Sequence, residues 1–124
     1  MTRLVIKTVW CLLRTEWLMR TRGLPALHKI LKRERPAQIR RKRYSEEQVC
    51  RAVKIACLIY FKPLLCLQRS AVTTIILRRH GLPAELVIGA QVLPFKSHAW
   101  VELDGRVVGD NAYVSRLYRE LERC

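Results

Sequence analysis

Hydrophobic residues along this chain follow two spacings, with the change near residue 81. Before it they recur every three to four positions, the period of an amphipathic helix. Ile6, Trp10, Leu13 and Trp17 form one such stripe, with Val9 and Leu12 beside it, and predict a helix over residues 4–20 whose tryptophans face the core. Gly23 stops it. Pro25 can open a second, short helix to Lys32 through Leu27, Ile30 and Leu31, because proline is tolerated at a first helical position. His28 in that helix has no partner signal and reads as a solvated or packing residue. Residues 32–43 are a basic linker, or in a sharper reading a docking strip for an acidic segment.

Ser45-Glu-Glu-Gln48 is a capping box, followed by Val49, Ala52, Val53, Ala56 and Tyr60 at helical period. Pro63 opens a fourth helix that runs to His80. Arg78, Arg79 and His80 suit the negative end of its dipole, Gly81 a left-handed cap, and Pro83 forbids continuation. His80 then needs no role beyond the helix end. Past that point the pattern becomes that of strands. Ala84–Val92 is a branched apolar run, and 97–102 and 106–110 flank Asp104-Gly105, a strong hairpin turn signal. Val114, Leu117, Tyr118 and Leu121 return to helical spacing and predict a closing amphipathic helix. Helices, a small antiparallel sheet and a last helix make an α+β domain. The expected division is a basic helical segment and linker over 1–43 and a core over 44–124.

Charge changes this picture at one end. The chain of 124 residues carries a formal net charge of +14. Residues 1–54 hold 15 Lys/Arg against 4 Asp/Glu, and residues 55–124 hold 9 against 6. The front half should attract something acidic. No reading helix, reader motif or interleaved aromatics accompany the charge, so nucleic acid is a lesser alternative. No run of 18 uncharged apolar residues occurs, so no membrane span is expected. The N-terminus lacks a cleavage site for a signal peptide, and a cytoplasmic location follows. The five cysteines are odd in number and contain no Cys-x-x-Cys pair, which argues against a disulfide framework and against zinc. Cys11, Cys50, Cys57 and Cys124 read as small hydrophobes.

Cys66 is different. Three residues after Pro63, it falls in the first turn of the fourth helix, where unpartnered backbone N–H groups carry partial positive charge and favour a thiolate. Ser70, Ala71, Thr73 and Thr74 follow it, all small, so a sheet can come close. His98 and Asp110 lie on the two hairpin strands. A two-residue loop pairs 99 with 110 and sends the two side chains to opposite faces. A three-residue loop, Leu103-Asp104-Gly105, pairs 98 with 110 and brings their Cβ atoms to about 5 Å. The expectation is the three-residue loop. Glu102 is a poorer partner, about 13 Å along the strand from His98. Each of the three has an ordinary account: a packed thiol, a half-buried strand histidine, a turn aspartate beside Asn111. Together they read as nucleophile, base and orienting acid. The oxyanion would meet the backbone N–H of Cys66 and a second donor from among Gln68, Tyr60 and Trp100. No metal or organic cofactor is needed.

Cys66-Leu-Gln-Arg-Ser70, Leu77-Arg-Arg-His-Gly-Leu-Pro-Ala84, Leu86-Val-Ile-Gly89, Pro94-Phe95, His98-Ala-Trp-Val-Glu102, Asp104-Gly105 and Asp110 occur in order. Over residues 45–124 the chain resembles the transglutaminase-like peptidases of lasso-peptide biosynthesis, the microcin-processing maturation proteins. The resemblance implies a papain-like core with the nucleophile at a helix start packed on a small antiparallel sheet. It carries the family triad onto Cys66, His98 and Asp110. It implies removal of the leader from a ribosomally made precursor, after which a macrolactam synthetase closes the ring. With about 44 residues before the core, the chain resembles the split form, served by a separate leader-recognition protein. The charge of the front half, and not the motif match, suggests it as the surface for that delivery. Acyl transfer to an amine, a basic nucleic-acid module and a non-catalytic scaffold are the competing functions.

Overall fold

The computed structural model describes residues 2–33, 44–60, 66–92, 94–110 and 113–124. Four helices precede the sheet: α1 (Thr2–Arg22), α2 (Leu24–Arg33), α3 (Glu46–Ile59) and α4 (Cys66–Arg79). The strands are β1 (Ala84–Gln91), β2 (Lys96–Leu103) and β3 (Arg106–Val108); a one-turn helix α5 (Val114–Leu117) then leads into β4 (Arg119–Arg123). The sheet is antiparallel, in the order β3-β2-β1-β4. This is the expected α+β architecture. Of the expected linker 32–43, Lys32 and Arg33 belong to the end of α2; residues 34–43 and the expected helix start at Pro63 lie outside the described residues.

The central element is α4. Residues 70–78 of it are buried without a break, which a helix shows only when neighbours cover it all round. α1, α2 and α3 pack on one side of it, β1 and β2 on the other. Leu4, Leu12, Leu27, Leu31, Val49, Val53, Ile75, Ile76, Leu86, Val101 and Leu103 belong to one hydrophobic cluster, so the first two helices share the core of the rest. Val87 and Trp100 point to the opposite face of the sheet, where Val114 of α5 and Tyr118 cover them. Both ends of the α3–α4 pair are as expected. The Ser45 side chain accepts from the Gln48 backbone N–H and the Ser45 N–H donates to Gln48 Oε1 at 2.9 Å. At the end of α4, Gly81 is left-handed, and the N–H groups of Gly81 and Leu82 donate to the carbonyls of Arg78 and Leu77.

Three expectations fail. The stripe that faces inward on α1 is Leu4, Thr8, Cys11, Leu12, Thr15 and Glu16, whereas Ile6, Trp10, Leu13 and Trp17 are exposed by 52, 69, 38 and 61%. Hydropathy misleads here because two of the inward polar side chains, Thr8 and Glu16, have hydrogen-bond partners. Thr8 donates to the Leu4 carbonyl at 2.7 Å, and the Tyr60 hydroxyl donates to Glu16. The closing helix is only one turn long. Its continuation pairs with β1 as β4, an all-exposed, charged edge strand, so tertiary pairing overrides the helical spacing of Leu117 and Leu121. Finally, Leu103 pairs with Arg106 and Val101 with Val108, so the hairpin closes with the two-residue loop. Asp104 and Gly105 both have positive φ, the conformation such a loop requires.

One buried guanidinium ties these layers together. Arg78 donates through Nε to the Ala84 carbonyl at 2.8 Å, through Nη1 to that of Leu31 at 2.6 Å and through Nη2 to that of Cys124 at 2.9 Å. It thereby joins α4 to α2, to the start of β1 and to the end of β4. Arg78→Met keeps most of the volume and strands these carbonyls. It is expected to cost roughly 3 kcal/mol or more, read as a lower denaturant midpoint with an unchanged slope.

Candidate active site

Cys66, His98 and Asp110 all line one cavity of about 270 Å³, together with Cys50, Arg69, Ser70, Trp100 and Gly109. Cys66 opens α4, His98 lies on β2 and Asp110 follows β3. Cys66 is the first residue of α4 and is exposed. α4 sits close on the sheet because the small Ser70 lies between them: its hydroxyl donates to the Ala99 carbonyl of β2 at 3.0 Å. Thr73 and Thr74 turn their hydroxyls back on the helix, donating to the Arg69 and Ser70 carbonyls.

His98 Nε2 lies 2.7 Å from Asp110 Oδ2. A carboxylate only accepts, so the neutral imidazole keeps its hydrogen on Nε2 and its lone pair on Nδ1. The pair forms by a route other than the one expected. In the observed register residue 110 would stand opposite 99 and face away from His98. β3, however, ends at Val108, and Gly109 adopts φ 71°. That left-handed residue turns the chain out of the ladder and swings Asp110 round to the histidine. An L side chain at this position costs about 1–2 kcal/mol.

The imidazole is also held on its faces. Its ring stacks on Tyr118 at 5.4 Å and on Trp100 at 6.2 Å. Trp100 is fixed in turn, its indole N–H donating to Glu102 Oε2 at 2.8 Å while Glu102 Oε1 pairs with Arg123 at 3.2 Å. Gly89 of β1 makes room for this wall. A Cβ there would meet Trp100 ring atoms at 2.6 and 2.8 Å and the Tyr118 Cβ at 2.9 Å. Tyr118, Gly89 and Arg123 are supporting residues that the sequence reading missed. It placed Tyr118 on a helix, and no spacing signal marked the edge strand.

Of the three candidates for a second oxyanion donor, Tyr60 donates to Glu16 and Trp100 to Glu102, and Gln68 is buried on α4. Cys50 is a half-buried thiol on the cavity wall and not simply a core residue. Arg69 and Gly109 are further lining residues that the spacing did not single out.

Residues 5–123 match the family described as the Transglutaminase-like superfamily. The chain belongs to that superfamily. The match takes in α1 and α2 as well as the region over which the motifs resemble it. Among curated proteins, this superfamily member is similar to the Microcin J25-processing protein McjB of Escherichia coli, with 44% identity over 45 residues. That segment is 36% of this chain and 22% of McjB. No solved structure matches the chain significantly. Among the described residues no helix is long and apolar enough to cross a membrane.

The thiols differ in their surroundings. Burial pushes the Cys50, Cys57 and Cys124 thiols up, with Glu46 adding to the effect on Cys50 and Glu122 to that on Cys124. Cys11 is buried and Cys66 exposed at a helix start. Iodoacetamide at neutral pH is therefore expected to label Cys66 first, with the other four trailing at least several-fold in peptide mass mapping.

Proposed function

We propose that this chain is a cysteine peptidase that removes the leader from a ribosomally made lasso-peptide precursor. The observation that carries the proposal is the His98–Asp110 pair opening onto the same cavity as an exposed thiol at the first residue of a buried helix. The superfamily membership and the similarity to a microcin-processing protein give that chemistry its substrate class.

In the proposed reaction His98 Nδ1 takes the Cys66 proton, and the sulfur attacks the scissile carbonyl carbon. The oxyanion faces the Cys66 backbone N–H at the helix start, where such groups carry partial positive charge. Collapse breaks the C–N bond, and His98 returns its proton to the leaving amine, the new N-terminus of the core peptide. Water, deprotonated by the same nitrogen, then hydrolyses the thioester and frees the leader as an acid. Asp110 holds the imidazole by Nε2 and stabilises its charged form throughout. The freed amine is the group that a macrolactam synthetase would join to an acidic side chain. No step needs a metal or organic cofactor, and the reaction belongs to the cytoplasm, where the precursor is made.

A separate leader-recognition protein would deliver the substrate. The exposed face of α1 suits such a contact, with Ile6, Trp10, Leu13 and Trp17 in a row beside Lys7 and Arg14. Solvated apolar rows of this kind mark interaction surfaces, and the flanking cations favour an acidic partner.

The test is to mix purified chain, precursor and recognition protein and weigh the products. Leader plus core at the mass of added water is expected, and addition of an amine instead would make the chain an acyl transferase. Cys66→Ala should abolish turnover, and cleavage that survives it would sink the thiol mechanism. Asp110→Asn should lower kcat by about 10²–10⁴-fold. Trp10→Ala combined with Trp17→Ala should remove most of the stimulation by the recognition protein with little change in Tm, because both side chains are already in water.

A further inference from the structure

The cleft is not the only cluster of reactive groups. Outside the cleft lining, the last residues of the chain meet α2. His28 Nε2 lies 3.0 Å from Glu122 Oε1, and Cys124 Sγ lies 3.6 Å from His28 Nδ1 and 4.0 Å from Nε2. One donor atom from each of the three falls within 4.8 Å of the other two. An open groove lined by Pro25, His28, Lys29, Lys32 and Glu122 gives access. His28 thus has close partners, contrary to the reading of it as a solvated or packing residue. The proposed peptidase chemistry does not use this group.

We propose that His28, Glu122 and Cys124 bind a divalent zinc-type cation, which clips α2 to β4. The donor set of thiolate, imidazole and carboxylate is the one zinc takes, at about 2.3 Å to sulfur and about 2.0–2.2 Å to nitrogen and oxygen. Tetrahedral bonds of those lengths set the donor atoms about 3.3–3.6 Å apart. His28 Nε2 stands 3.0 Å from the carboxylate and 4.0 Å from the sulfur, and all three donors fall within 4.8 Å of one another, so side-chain rotations draw the set together around the ion. Water from the groove supplies the fourth ligand. The backbone is already in place: the Cys124 N–H and carbonyl pair with Leu86, and Arg78 holds the same carbonyl.

Electrostatics give the cation a part to play. Burial and the neighbouring Glu122 push the Cys124 thiol up, against the pull of Arg78 and Lys32. Without an ion, Glu122 and a thiolate would repel each other. A divalent cation turns that repulsion into shared attraction. On binding, the S–H bond breaks, its proton passes to the buffer and the sulfur–metal bond forms. Nothing is oxidised or reduced. The cysteine spacing gives no sign of such a site because its donors lie 96 residues apart in the chain.

The experiment uses the full chain in the Cys66→Ala background, so that the cleft's own Cys-His-Asp set cannot supply a thiolate ligand. Cobalt(II) added to reduced, metal-free protein is expected to give one equivalent of tetrahedral species with a sulfur-to-cobalt charge-transfer band, displaced by zinc. Calorimetry of zinc binding in two buffers of different ionisation enthalpy should show about one proton released. Adding Cys124→Ser should remove the band, and His28→Ala should weaken binding at least about 10-fold, while the far-ultraviolet circular dichroism of both stays that of the parent. Zinc should raise the Tm of the parent and not that of either variant. No charge-transfer band, or a band that persists in both variants, would overturn the proposal. So would a band lost only through loss of the fold, checked by His28→Gln if His28→Ala unfolds. None of these readouts involves peptide cleavage, so they stand apart from the proposed reaction.

Discussion

The distance at which α4 lies on β2 governs the rest. A buried helix packed on a sheet normally keeps its backbone well clear of the strands. Here Ser70 lets them approach until one hydroxyl spans the gap to the Ala99 carbonyl. That contact sits one turn beyond Cys66 and next to His98 in β2. It therefore fixes the start of the helix relative to the strand before any reaction chemistry is considered. Everything else refines this placement. Gly109 brings the acid to the histidine, the Trp100–Tyr118 wall keeps the ring flat against its support, and Arg78 locks the far end of α4 to three other elements.

How much of this the sequence discloses depends on whether a feature is local. Helix ends are local, so Ser45 with Gln48 and Gly81 with Pro83 are legible. So are the turn residues Asp104 and Gly105 and the small residues that follow Cys66. The association of His98 with Asp110 is also legible, but for the wrong reason. A regular three-residue loop would have paired them; instead the tighter loop forms and a glycine beyond the strand corrects the direction. Asp104 tolerates the left-handed conformation well enough to leave Gly109 for that second task.

What the sequence hides is tertiary. Which side of α1 faces inward depends on partners far along the chain. Tyr60 satisfies Glu16, and Thr8 satisfies itself on its own helix, so a row with three polar residues is buried and a row with two tryptophans is not. The end of the chain misleads similarly. Arg119–Arg123 has residues that favour helix, but β1 offers an unpaired edge and Glu85, Glu102 and Glu120 offer partners for Arg123. Donors at opposite ends of the chain, such as His28 and Cys124, are invisible to any rule based on spacing.

The exposed row has an optical consequence. The chain has three tryptophans: Trp10 and Trp17 stand in water on α1, and Trp100 is sealed between the sheet and the last segment behind the histidine. Their indoles therefore emit from two unlike environments. A protein laid along α1 would shift the red, easily quenched part of the fluorescence, and disturbance of the cleft would shift the blue, shielded part. The molecule carries separate built-in reporters for its outer face and its cleft, with no label required.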